Sequence, residues 1–191
     1  MKLATILGSL NKDGSCANAL KIVQSELALS DRIELVKIDP NDFNLPFPGQ
    51  SDSNSDAKNL QQLLSDVSGI IISTPEYHGS FSSIIKLIIE NLGFPSVLSG
   101  KPISLLGVAS GSIGAIKSLE QLRSVCSHIG AIVLPGPVSI ANVRSVFDIN
   151  GNCLDKKVER RLKTLANEMM SYVEKHVCPK HPLEEQVRDN L

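Results

Sequence analysis

Three times in this chain an apolar run of strand length gives way to a junction of small polar residues, and then to apolar residues at helical spacing. The first run is Lys2 to Leu7; Gly8-Ser9-Leu10-Asn11-Lys12-Asp13-Gly14-Ser15 follows, then a pattern from Cys16 to Leu29 with Ala19, Leu20, Val23 and Leu27 on one face. The second is Ser68 to Ser73, followed by Thr74-Pro75-Glu76-Tyr77-His78-Gly79-Ser80 and a helical pattern from Phe81 to Leu92. The third is Ile103 to Ala109, followed by Ser110-Gly111-Ser112-Ile113-Gly114-Ala115 and a helix to about His128. Such runs describe buried strands, and strands alternating with helices imply a parallel sheet covered on both faces. Ile33 to Ile38 alternates apolar with charged residues, as a strand near a sheet edge does. Ala131 to Leu134 is a fifth strand, continuing through Pro135-Gly136-Pro137 to Val138–Ala141. Asp56 to Val67 and Lys156 to Lys175 read as further amphipathic helices. The expectation is an α/β three-layer sandwich with a five-stranded parallel sheet in the order 2-1-3-4-5. In that order strands one, three and four are neighbours, and the three junctions converge where ligands bind such sheets, outside the carboxyl ends of the strands.

Each junction has chemistry to offer. A Gly- and Ser-rich turn before a helix presents free backbone N–H groups and the positive end of a helix dipole, which suits phosphate. Ser9 and Ser15 add hydroxyls and Lys12 a cation; equally, Ser15 is in place to cap the helix and the glycines to turn the chain. Neither Gly-x-x-x-x-Gly-Lys-Ser/Thr nor Gly-x-Gly-x-x-Gly occurs in the first junction, so a P-loop and a dinucleotide fingerprint are both excluded there. In the second junction, Pro and Gly are expected to turn the chain directly after Ser73. Glu76, Tyr77 and His78 are candidates for chemistry, against the plainer roles of salt bridge and loop hydrogen bond. In the third, Gly111 and Gly114 either let backbone amides approach a flat ligand or merely make a tight turn.

The helical pattern from Phe81 to Leu92 is apolar around much of its circumference, so either the core takes it up or a second subunit covers its outer face. The loop from Asp39 to Ser55 carries Phe43, Leu45 and Phe47, with Phe47 expected to cover the core. A net charge of −1 and the absence of Trp argue against nucleic acid or an acidic membrane as partner. The N-terminal apolar stretch is too short for a signal or a membrane span, and a cytoplasmic location is expected. At 191 residues one domain is expected, over 1–175, with a tail at 176–191. Cys16, Cys126, Cys153 and Cys178 are widely spaced and read as reduced. His176, Cys178 and His181 are metal-capable side chains without a fourth ligand nearby, so no metal is expected.

Taken together, Gly8-Ser9-Leu10 with Gly14-Ser15, then Thr74-Pro75-Glu76-Tyr77-His78-Gly79-Ser80, then Ser110-Gly111 with Gly114 resemble the NAD(P)H-dependent FMN reductase family, the flavodoxin-like group of azo, quinone and chromate reductases. The resemblance runs from Met1 to about Val173. It implies a flavodoxin-like fold, FMN as cofactor and NADPH or NADH as co-substrate. It also implies a small electron acceptor (a flavin, quinone, azo compound or metal oxyanion); separately, the apolar circumference of the helix 81–92 leads to the expectation of a homodimer or homotetramer through it. The FMN phosphate is implied at Ser9, Ser15, Ala17 and Asn18, and Asn11, Lys12 and Cys16 of the same stretch are expected to bind the cofactor with them. The ring is implied against Pro75, Glu76, Tyr77, His78 and Gly79, with Ser110, Gly111, Ser112 and Gly114 along its other edge. The cofactor carries the redox chemistry in such enzymes, so no catalytic side chain is expected. Departures from the family pattern are Asn11 for an arginine, His78 for an asparagine, and Ser82-Ser83 for Pro-Gly. A flavodoxin-type electron carrier and a regulatory module that has kept the fold are the alternatives; the small net charge speaks against the carrier.

Overall fold

The computed structural model describes residues 1–50 and 52–177. Cys178 and His181 of the tail lie outside the described residues. The strands are β1 (Lys2–Leu7), β2 (Glu34–Ile38), β3 (Gly69–Tyr77), β4 (Ser80–Phe81), β5 (Pro102–Val108), β6 (Ile132–Val133) and β7 (Val138–Ile140). The helices are α1 (Ser15–Leu27), α2 (Ala57–Ser65), α3 (Ser83–Glu90), α4 (Ile116–His128) and α5 (Lys156–His176). The sheet runs β2-β1-β3-β5-β6 with parallel neighbours. That is the expected 2-1-3-4-5 order, with two short strands added. β4 is an antiparallel flap on β3, and β7 pairs with the carboxyl half of β5 while β6 pairs with its start. β6 and β7 are thus one fifth strand, interrupted where Pro135 and Pro137 withhold ladder donors.

Strand alternation divides the core into two layers. Leu3, Leu7, Ile71 and Leu106 pack with α1 and α5 on one face; Ala4, Ile6, Ile70, Ile72 and Leu105 pack with α2, α3 and α4 on the other. β3 is central, and its three consecutive isoleucines feed both layers. Each contributes about 1.5–3 kcal/mol by leaving water.

Three local expectations are corrected. β3 does not turn at Pro75 but continues to Tyr77. Its pairing with β1 ends at Ser73, so β3 is an edge on that side by Pro75, the place where a sheet accepts proline. The turn comes instead at His78 (φ 50°) and Gly79 (φ 75°), two successive left-handed residues that close a tight hairpin to Ser80. α3 begins at Ser83 rather than Phe81, because the Ser82 hydroxyl accepts from the Ile85 amide at 3.3 Å and caps it. Phe47 does not cover the core: it is 63% exposed, while Phe43 and Leu45 pack inward. As for the apolar helix, the core takes up Ile85, Ile88, Ile89 and Leu92, leaving Ile84 and Leu87 half-buried.

Candidate functional site

β1 and β3 end side by side, and the chain after β1 crosses over β3 with almost no clearance. The Gly8 amide donates to Ser73 O at 2.8 Å. A Cβ on Gly8 would stand 2.4 Å from that oxygen and 2.6 Å from Ile85 Cγ1, so only glycine fits. Ser9 follows, nearly buried, its hydroxyl oxygen accepting from the Asn11 amide at 3.1 Å and its proton left to donate elsewhere. The chain then turns into α1, whose first turn has neither a side-chain cap nor an acidic residue. Gly14 occupies the cap position in an extended conformation, so the Ser15, Cys16 and Ala17 amides begin the helix without a side-chain acceptor. An uncapped N-terminus beside a buried hydroxyl forms a cradle of donors of the kind that suit an anion.

A cavity of about 240 Å³ opens from this cradle. Ser9, Asn11, Gly14, Ser15 and Cys16 line one end; Pro75, Glu76 and Tyr77 line a second wall; Val108, Ala109, Ser110 and Val143 complete it. Residues from all three predicted junctions therefore meet in one cleft. Gly111 adjoins Ser110 with open space where its Cβ would be, so its backbone is approachable. Gly114 is different: it is left-handed (φ 80°) and packs so tightly that a Cβ would meet Ser139 Oγ at 2.5 Å, so its role is the turn into α4. Ser112 is an exposed residue of the same loop.

Other sequence candidates either stand apart from the cleft lining or line it with their polar groups already engaged. Lys12 and Ala17 line a second groove of about 360 Å³ between α1 and the end of β2. Lys12 Nζ lies 3.3 Å from Asp39 and 3.7 Å from Asp42, and the hydrogen bond and charge of Asp39 hold its pKa above the usual lysine value. Asn18 is buried against Gly151 and donates to Asp13 O at 3.3 Å. Glu76 lines the cleft, and its carboxylate accepts from the Ser118 amide at 3.1 Å and so caps α4. His78 and Gly79 form the hairpin turn beyond Tyr77, a residue 59% exposed at the rim. Cys16 lies beneath the cradle with its thiol 3.4 Å from Ser73 Oγ; burial pushes its pKa up to about 11, which makes it a packing group and no nucleophile.

Val143 and Ala109 were missed by the sequence reading. Val143 N donates to Ala109 O and Asn142 N to Gly111 O, both at 3.0 Å, which brings a distant segment to the cleft wall. The only local sign is Asn142, a left-handed residue (φ 47°) of the type that tolerates that conformation. Among the described residues no group of His, Cys, Asp and Glu is arranged to hold a metal. No helix among them is long and apolar enough to cross a membrane.

A doubly wound sheet with an uncapped helix start after β1 and two further strand-end walls around one cleft has the architecture of a flavodoxin-like protein. Comparison with known proteins narrows the class. The family described as NADPH-dependent FMN reductase matches residues 1–144. A 2-hydroxy-1,4-benzoquinone reductase from a Burkholderia species is 30% identical over 181 residues, covering 91% of this chain and 96% of that protein. An NADPH azoreductase of Bacillus sp. strain OY1-2 is 28% identical over 72% of this chain and 75% of its own length. An NADH-dependent flavin reductase subunit of Lactobacillus johnsonii is 28% identical, covering 91% and 98%. Among solved structures, the flavoenzyme FerB of Paracoccus denitrificans superposes with a TM-score of 0.75 at 24% identity, over 92% of this chain and 98% of that one, which bears out the fold. The chain belongs to the NADPH-dependent FMN reductase family, and is an NAD(P)H-dependent oxidoreductase that uses FMN.

Proposed function

We propose that the cleft holds FMN with its phosphate in the α1 cradle and its ring between Pro75–Tyr77 and Ala109–Gly111, and that a quinone is among the acceptors reduced there. The observation that carries this is the meeting of Ser9, Tyr77 and Ser110 around one cavity whose phosphate end is an uncapped helix. The cradle suits a dianion: the first amides of α1 have no side-chain acceptor, and the Ser9 hydroxyl keeps its proton to donate. Ser110 and the open backbone at Gly111 fit the polar edge of a flat ring, where amide dipoles stabilise the charge gained on reduction. Tyr77, exposed at the rim, shapes the face that both substrates must use. Bound FMN would take hydride from NADPH or NADH and pass the electrons to the acceptor at the same place, a ping-pong cycle that asks the protein to orient and to exclude water rather than to move protons.

The quinone is supported by the relative that acts on 2-hydroxy-1,4-benzoquinone. A cytoplasmic homodimer or homotetramer belongs to the same proposal. Ile84 and Leu87 of α3 face a surface groove with Leu10, Phe43 and Leu45, an apolar patch suited to a second copy of this chain.

The test is direct. Purified protein should be yellow or take up FMN, and anaerobic NADPH should bleach the visible band. Steady NADPH oxidation on adding a benzoquinone should follow parallel-line kinetics. Bleaching without multiple turnovers would make the protein a carrier; no FMN uptake would make it the regulatory module. Light scattering of wild type and Leu87→Lys reads the assembly: a wild-type monomer refutes the interface.

A further inference from the structure

The hairpin that carries Tyr77 is too small to hold its own position. It contains two paired positions, Glu76 with Phe81 and Tyr77 with Ser80, and its turn places a non-glycine residue, His78, in the left-handed region. An isolated two-stranded hairpin is marginal even at greater length, and His78 adds a conformational cost. What anchors its outer end is α4. Ser80 Oγ donates to Gln121 Oε1 at 2.6 Å, Gln121 Nε2 donates to Gly79 O at 3.0 Å, and Glu76 accepts from the Ser118 amide at 3.1 Å. The Glu76 bond joins a carboxylate to the first turn of a helix, where charge and dipole agree. The start of α4 is in turn fixed to the opposite wall: Ala115 N donates to Ser139 Oγ at 2.9 Å, and Asn142 N to Gly111 O at 3.0 Å. Pairing of Pro75 with Val108 sets the spacing at the base of the two walls; beyond it, the outer positions at Gly79 and Ser80 are held from α4.

We propose that Gln121, a surface residue outside the cleft lining, is a positioning residue for the flavin site: with Glu76 it straps the hairpin to α4 and sets the outer part of the gap in which the ring lies. This rests on the FMN site proposed above. Gln121 touches neither cofactor nor acceptor; it acts through Gly79 and Ser80 on Tyr77. Its bonds are exposed, so each contributes little to overall stability, and its consequence is geometric rather than global.

The test compares wild type, Gln121→Ala, Ser80→Ala and Gln121→Glu as full-length, FMN-loaded protein. Gln121→Ala should exchange the amides of residues 78–81 faster in hydrogen-exchange mass spectrometry, change the visible circular dichroism of the flavin, and raise both the FMN Kd and the acceptor KM by about fivefold, the equivalent of roughly one hydrogen bond. Ser80→Ala, which removes one of the two bonds, should give a smaller change of the same kind. Gln121→Glu keeps the acceptor for Ser80 and should recover part of the loss. The urea midpoint, read on the FMN-free proteins so that weaker cofactor binding does not enter it, should hardly move in any of them. A lower midpoint with unchanged flavin dichroism, Kd and KM would make Gln121 merely structural and overturn the proposal, as would faster exchange with an unchanged Kd and KM. Those failures leave the FMN reading intact; a wild type that takes up no FMN overturns both.

Discussion

Two helices start at the same edge of the sheet and treat their first turns in opposite ways. At α3, Ser82 accepts from the Ile85 amide and donates its own proton to Gly8 O at 2.7 Å, closing the end and tying it to the loop after β1. At α1 the cap position is a glycine, no side chain reaches the first amides, and the first turn has no carboxylate. The Ser82 cap and its two bonds are nearly buried and belong to the fold. The α1 end opens into the cleft, where the proposed reading places the FMN phosphate. The difference teaches how to separate a helix start that stabilises from one that binds: the first spends its donors within the chain, the second keeps them.

The comparison can be broken most severely at α1. Ser15→Asp places a carboxylate among the cradle amides and should weaken FMN binding by about a hundredfold, since charge-assisted bonds are replaced by repulsion. Riboflavin, which lacks the phosphate, should lose less than about threefold, because only the phosphate end is disturbed. Fluorescence titration with both ligands reads this, and equal losses would place the phosphate elsewhere. At α3 the expected effect moves from binding to stability. Ser82→Ala removes a cap and leaves Gly8 O without its hydroxyl donor, a loss of about 2 kcal/mol by urea unfolding. Its FMN Kd should stay within about twofold, because the cap does not face the cleft.

A smaller effect sharpens the question of which charges serve the cradle. Lys12→Ala should change the FMN Kd by less than about threefold, because its cation is held by Asp39 and Asp42 at the exposed surface and is screened there. A tenfold loss would show that Lys12 leaves those carboxylates for the phosphate. The least effect concerns acid. Burial on its own would raise the pKa of Asp39, but the Asn41 amide and side chain, with Lys12, outweigh it and hold the carboxyl below its ordinary value of 3.8. A group depressed on folding contributes stability above its unfolded pKa and loses it as pH falls through the folded one. Asp39→Asn should therefore narrow the difference between urea midpoints measured at pH 6 and below pH 3.

Much of this was legible because it is local. Apolar runs with helical patterns between them give the sheet and its two layers, since side-chain period and strand length are fixed by backbone geometry alone. The Gly-Ser junction after β1 is legible for the same reason: a helix N-terminus lies a few residues from its own strand. The second junction was located correctly but drawn wrongly. Pro75 reads as a breaker, yet it sits in a strand because β1 has already ended beside it, a fact about a neighbour far away in sequence. Glu76 reads as chemistry, yet it caps a helix that begins 40 residues later, at Ile116.

The sequence by itself determined the order of strands and helices, the two-sided core and the three junctions at one sheet edge, because spacing and residue type act within a few residues of each other. Tertiary structure alone decided which donors remained for a ligand. Lys12 went to Asp39, Gln121 to the hairpin and Val143 to the cleft wall. Each of these depends on distance through space between segments far apart in the chain, and hydrogen bonds and ion pairs form only where folding brings their partners within reach.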